Sequence, residues 1–382
     1  MGNKSIQVAA IMLSLCLLAS CKSNGEQPIS SPETSAGSLP SSPTPLKSQP
    51  AVHIDKEEQE LYTFIAKQLT GPYGVYTNLQ DTDQTAEAAT GHEVLSESAS
   101  LMMRIAVLSG NKELFSSEWA KAKQTFSTEG GFSYRYSPKL QKHYPLNAAV
   151  DDLRLIGALY AAGDTFDNKE YTNEAAEYSK IFYRNNVKDG YMYDFYDNDF
   201  RVTNDFVTLC YINLDVLQNL SINDEIRGIL LHNMNTILED GYLSDEFPFY
   251  ETRFNYKTGN YSSEKINTVE SLLSILNLAE VDRQKPQSIR YIKEQVEAGT
   301  LYGQYTRDGQ PANDIRSTAI YALTAMIGAE IGDDSLYSRS IERMNEFRVT
   351  DTGSVLYGGF GNPETGQAYS FDNLMALLAY SY

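Results

Sequence analysis

The sequence predicts an all-α fold, an (α/α)6 toroid with short β-hairpins in its loops, and three observations predict it. Glycine followed by aromatics recurs six times, at intervals of 51 to 60 residues. The copies are Gly71-Pro72-Tyr73-Gly74-Val75-Tyr76, Gly131-Phe132-Ser133-Tyr134-Arg135-Tyr136, Gly190-Tyr191-Met192-Tyr193-Asp194-Phe195-Tyr196, Gly241-Tyr242-Leu243, Gly299-Thr300-Leu301-Tyr302-Gly303-Gln304-Tyr305 and Gly353-Ser354-Val355-Leu356-Tyr357. Such a period marks a repeated supersecondary unit. Between the glycines apolar residues return with the helical period, about two helices to a unit. Residues 55–69, 93–109, 111–127, 150–162, 170–184, 203–218, 222–238, 266–279, 285–298, 314–330, 335–347 and 371–381 read as helices. Runs such as 153–162 and 315–329 are nearly apolar on all sides, as inner helices touching both a central core and an outer ring must be.

In chain order, Lys4 precedes an apolar stretch, residues 8–19, too short to span a bilayer comfortably. Leu18-Ala19-Ser20-Cys21 closes it and resembles a bacterial lipoprotein signal. That resemblance implies removal of residues 1–20, acylation of Cys21, and two lipid attachments that together anchor a protein stably to the extracytoplasmic face of the cell membrane. Residues 21–53 carry six prolines, many serines and almost no aromatics, the composition of a flexible tether. Residues 54–382 are long enough for one large core.

Each inner-helix start brings an acid: Leu95-Ser96-Glu97-Ser98, Val150-Asp151-Asp152-Leu153, Thr203-Asn204-Asp205-Phe206, Thr268-Val269-Glu270-Ser271, Asn313-Asp314-Ile315-Arg316 and Phe371-Asp372-Asn373-Leu374. Helix capping accounts for acids at such positions, where they meet unpaired N–H groups and the positive end of the dipole. A toroid also gathers these starts around one cleft. Carboxylates flanked by Tyr and Phe suit a saccharide, because glycosidic bonds are broken by an acid and a base and sugar rings stack on aromatics.

The remaining composition excludes other classes. A formal charge of -19 opposes nucleic acid. His53, His92, His143 and His232 have no zinc-like spacing, so no metal or other cofactor is expected. Cys16 lies in the signal and Cys21 is the proposed anchor, which leaves Cys210 as a buried core thiol.

Three segments resemble glycoside hydrolase family 8. The run Leu95-Ser96-Glu97-Ser98-Ala99-Ser100-Leu101-Met102-Met103-Arg104, followed by Gly110-Asn111 and Trp119, is similar to that family's Ser-Glu-Gly motif, with Ser98 in place of glycine. Val150-Asp151-Asp152-Leu153 resembles its Asp-Ala-Asp-Leu motif, with Asp152 on the second aspartate and Val150 replacing the first. Asn313-Asp314-Ile315-Arg316 resembles the segment that carries the catalytic base ahead of an arginine; counted back from Arg316, the base position falls on Asn313. The resemblance implies inverting, endo-acting hydrolysis of a β-linked extracellular polysaccharide by a monomer. Glu97 would be the acid, Asp314 the base with Asp245 as its rival, Asp152 a sugar-holding residue and Arg316 a carboxylate-orienting one. Glu93, Arg104 and Arg316 are the neighbours that could set the state of Glu97. Tyr134 and Tyr193 stand among loop tyrosines that could stack on sugar. Two other classes stay open: a toroid that binds or assembles polysaccharide without catalysis, motivated by Ser98, Val150 and Asn313, and a polysaccharide lyase.

Overall fold

A computed structural model describes residues 55–382; the signal, Cys21 and the Pro/Ser-rich segment lie outside the described residues. Twelve α-helices run through them: α1 Asp55–Phe64, α2 Ser96–Leu108, α3 Lys112–Phe126, α4 Ala149–Thr165, α5 Lys169–Asn186, α6 Leu214–Gln218, α7 Asp224–Asp240, α8 Thr268–Ala279, α9 Pro286–Ala298, α10 Thr318–Glu330, α11 Asp334–Asn345 and α12 Ser370–Tyr380. The inner ring closes on itself. It passes from α2 to α4, then to the segment Leu209–Tyr211 with α6, then to α8, α10 and α12, which packs back on α2.

Burial separates the two layers as the hydrophobic pattern requires. Every residue of α10 from Thr318 to Gly328 is buried, and α8 is buried throughout except at Glu270. Outer helices bury one stripe: α9 covers Ser288, Ile292 and Val296, spaced four apart, and leaves the rest toward solvent. Asn111, Asn168, Asn223 and Asp333 cap outer helices α3, α5, α7 and α11 through their side chains.

The glycine-aromatic repeat has a structural cause in its first three copies. Each forms the return strand of a two-residue hairpin directly after an outer helix: Thr70–Gly71 with Gly74–Val75, Ser127–Thr128 with Gly131–Phe132, and Val187–Lys188 with Tyr191–Met192. Gly190 sits at φ 77°, a conformation that L side chains rarely adopt. In the second half of the chain the glycines do other work, and Gly299 ends α9 in the left-handed region.

One expected helix is corrected. Residues 203–218 are not a continuous inner helix: Phe206–Thr208 is a strand paired with Arg253–Asn255, followed by a 3-10 turn and the short α6. The β-branched pair Val207-Thr208 favours extension, and the Asp194 carboxylate accepts both the Thr208 N–H and its hydroxyl at 2.6 Å, removing a donor that a helix would use.

Candidate active site

The N-termini of the inner helices meet at one rim, and Glu97, Asp151 and Arg154 come together there. Ser96 and Glu97 open α2; Asp151 opens the neighbouring α4, and Arg154 lies one turn further on the same face. Asp151 accepts a 2.7 Å hydrogen bond from the Ser96 hydroxyl and another from the Glu97 backbone N–H. An acid of one inner helix thus caps its neighbour. Asp372 of α12 does the same for α10, accepting from the Ala319 N–H at 3.1 Å. For Asp151 and Asp372, then, the helix capped is the adjacent one and not their own.

Arg154 stands between two carboxyls, its Nη1 at 3.5 Å from Asp151 Oδ1 and 3.9 Å from Glu97 Oε2. Asp151 is buried, whereas the Glu97 side chain is 16% exposed, so of the two carboxyls the glutamate is the one open to solvent. Burial, reinforced by the charge of Asp151 and opposed by Arg154, pushes the Glu97 carboxyl up to about 7. Burial also raises Asp151, opposed by Arg154 and the Ser96 hydrogen bond. Across the cleft the Tyr211 phenol is driven far up by burial and by the nearby charges of Asp194, Cys210, Asp151 and Glu97. Asp194, held by Thr208, is pushed by burial to about 7. Glu270, at the start of α8, is half-buried; desolvation raises it, while Arg253 and a 3.2 Å hydrogen bond from Thr252 oppose the rise. Four carboxyls, two guanidinium groups and one phenol therefore share a partly desolvated cleft.

The other residues singled out in the sequence are dispersed. Asp314 is exposed on the loop before α10, and Asn313 uses its side chain to accept the Ile315 N–H. Arg316 points outward to Glu346 at 2.9 Å and over the Phe347 ring. Asp245 is exposed and accepts from Tyr242 and from Gln287 of α9. Asp152 turns from the cleft into a buried amide network: Asn147 donates to it at 2.7 Å and also bonds Asn186 of α5. The successive residues Asp151 and Asp152 point about 100° apart on a helix, which is why one faces the rim and its neighbour the outer layer. Asp205 is exposed and paired with Lys257. Tyr134 is buried with Leu146, Ala148 and Val150, against Leu95 and Tyr211; Tyr193 packs on Tyr256. Arg104 pairs with Glu280 toward the C-terminal ends of the inner helices. Glu93 is neither solvated nor directed at Glu97, because it is fully buried against Arg135. Cys210 is free and buried.

Arg154, Asp151, Tyr211, Asp194 and Arg253 are site residues that the sequence reading did not single out. The spacing Asp151-Asp152-Leu153-Arg154 was the available signal, since acid and base three apart share a helix face. Among the described residues no group of three or more His, Cys, Asp or Glu is arranged to hold a metal ion.

No protein-family model matches the sequence. It is 29% identical over 236 residues to the putative lipoprotein YdaJ of Bacillus subtilis, a match spanning 61% of this chain and 64% of that protein. It is similar in structure to a novel alpha-amylase from Clostridium perfringens, with TM-score 0.79 and 33% identity over 85% of this chain and 97% of the other. The endoglucanase Cel10 of Klebsiella pneumoniae, a family 8 glycosyl hydrolase, shares the fold at TM-score 0.55 and 15% identity, covering 75% of this chain and 97% of its own. With the toroid, the Glu97 motif and a relative alike over nearly its whole length, the chain belongs to glycoside hydrolase family 8, as a divergent member.

Proposed function

We propose that this glycosidase cleaves internal bonds of an extracellular polysaccharide with inversion, and that Glu97 is its general acid. The carrying observation is the state of Glu97: reachable at the rim, yet desolvated and beside a second carboxyl, so that its proton is retained near neutral pH. An acid with that affinity can protonate the leaving oxygen as the bond breaks. An inverting enzyme also needs a carboxylate to activate water from the opposite side, with the two carboxyls roughly 6.5–9.5 Å apart. Glu270 suits that role better than Asp314. It begins an inner helix and is half-buried; burial raises its carboxyl, while the charge of Arg253 and a hydrogen bond from Thr252 work toward the ionised form. Asp314 is exposed and has no such support. Tyr211, half-buried within the field of Glu97, offers an aromatic face for sugar, whereas Tyr134 is packed beneath it in the core.

The sequence expectation is a β-linked polymer. A second reading, an α-linked glucan, is favoured by the 33% likeness to a protein titled an alpha-amylase. The match to a putative lipoprotein and the Leu18-Ala19-Ser20-Cys21 segment support a protein divided into a signal at 1–20, an acylated linker at 21–53 and a hydrolase domain at 54–382, held at the membrane.

The test is incubation with β-glucans, xylans, chitosans, α-glucans and cell-derived exopolysaccharide, followed by new reducing ends and by NMR of fresh product before mutarotation. Inverted product that disappears in Glu97→Gln supports the proposal. Retained configuration or activity surviving in Glu97→Gln overturns it. Glu270→Gln and Asp314→Asn compared side by side identify the base.

A further inference from the structure

Glu97 cannot release its proton without leaving a second negative charge beside Asp151. The two carboxyls belong to adjacent inner helices, and Asp151 is locked in place by Ser96 and the Glu97 N–H. Asp151 is almost inaccessible to water, so solvent does little to separate the charges. Among the described residues one cation stands at both groups, the Arg154 guanidinium, with the same Nη1 at 3.5 Å from one and 3.9 Å from the other. Neither distance is a tight bidentate pair, and the side chain is itself only 16% exposed.

We infer that Arg154 is the positioning residue of the acid: a counter-ion shared by Asp151 and Glu97 that shifts toward Glu97 as its proton departs. Before proton donation the guanidinium chiefly balances Asp151. When Glu97 passes its proton to the leaving oxygen, the acid O–H bond breaks with its electron pair left on the carboxylate, the glycosidic C–O bond breaks with its pair on the leaving oxygen, and a water bonds the anomeric carbon while a base carboxylate takes its proton; Arg154 meets the new charge on Glu97 without moving across the cleft. Return of that proton from the base through solvent to Glu97 restores the first arrangement. The inference rests on Glu97 being the acid. The charged and titratable groups that face Glu97 are Asp151 and Arg154 from α4 and Tyr211 from the 3-10 turn; Asp194, Glu270 and Arg253 lie behind them, and Cys210 is buried in the core beneath. Arg154 is the one cation acting on Glu97 among them, and it opposes both burial and Asp151.

The experiment compares the pH dependence of kcat in wild type, Arg154→Gln, Arg154→Lys and Glu97→Gln, with circular dichroism to confirm folding. Removing an opposite charge at this distance shifts a carboxyl by about one unit or more. Arg154→Gln is therefore expected to move the alkaline limb, where the protonated acid is lost, upward by about one pH unit, with kcat reduced about tenfold or more because the acid is weaker. Arg154→Lys keeps the charge and should return the limb toward its wild-type position. An Arg154→Gln enzyme that is folded and slowed with its alkaline limb unmoved overturns the inference. If Arg154→Gln does not fold, the Arg154→Lys limb decides, since a charge-preserving variant that moves the limb as far as neutralisation would also overturns it. Activity retained in Glu97→Gln overturns instead the assignment of the acid.

Discussion

Arg135→Met should unfold the domain several degrees early, because it strands a buried carboxylate four residues before Glu97. Arg135 and Glu93 are both fully buried. Arg135 donates from Nε to Glu93 Oε1 at 2.8 Å and from Nη2 to Oε2 at 2.6 Å, a fork-to-fork pair. It also donates to the carbonyls of Glu87 and Ala86 and stacks over the Tyr144 ring. Without it, Glu93 keeps only the Thr90 N–H and a 3.4 Å contact from the Tyr144 hydroxyl. Breaking one side of a buried pair costs about 3–5 kcal/mol. With an unfolding entropy of about 2.1 cal/mol/K per residue, each kcal/mol is worth roughly 1.5 °C in a domain of this length, so a fall of about 5–7 °C is expected. Scanning calorimetry or a fluorescence melt measures it. Glu93→Leu combined with Arg135→Met removes the orphaned charge and should be more stable than Arg135→Met alone, although the carbonyls of Ala86 and Glu87 still lose their donor. A single variant melting within about 1 °C of wild type, or a double variant below it, would refute the reasoning. The pair also ties Val94–Leu95, which leads directly into α2, so kcat should fall in the single variant.

Three further outcomes are expected. Glu97→Gln should abolish turnover yet stabilise the fold at high pH. A carboxyl raised from 4.5 to about 7 carries no penalty below 4.5, an increasing one between, and its full penalty above 7, so the variant's advantage grows across that window toward about 3 kcal/mol; urea titrations at pH 5 and pH 8 measure the difference. Cys210, whose thiol burial drives well above its ordinary range, should ignore a disulfide reagent in the native protein and react on unfolding. Asp152→Asn, made in the Asn147–Asn186 network, should leave kcat within a few-fold of wild type while Asp151→Asn lowers it by orders of magnitude; the reverse ranking would return the sugar-holding role to Asp152.

The fold was legible because its signal is repeated. Six glycine-aromatic copies and all-round apolar helices such as α8 and α10 left little freedom in the architecture. The third inner helix was misread because Phe206-Val207-Thr208-Leu209-Cys210-Tyr211 is apolar without a decisive period, and its strand depends on partners at Asp194 and Arg253–Asn255 that are distant in sequence. Glu97 was legible from a local motif. Arg154 was not, because nothing in its neighbourhood distinguishes a cleft cation from a surface one until α2 lies beside α4. Arg316 illustrates the converse: a plausible local pattern whose side chain the loop turns outward to Glu346. Sequence spacing fixed which residues share a helix face, whereas the angle of each helix in the ring fixed which face met the cleft.

At the rim itself, Asp151 and Asp372 show what an acid at a helix start does. A carboxylate capping its own helix would be spent on local hydrogen bonds and turned back along its own backbone. Asp151 and Asp372 instead reach across to α2 and α10, so that each links two helices whose ends border the cleft. Such links serve rigidity, because a displacement of α4 relative to α2 would break the Ser96–Asp151 bond at once. They also leave the carboxyls close enough to other acids to interact, and burial makes that interaction costly. Glu97 bears that cost while still partly open to solvent. The Asp151 link that holds the rim together therefore also sets a charge beside Glu97 that raises its carboxyl, and Arg154 opposes that rise.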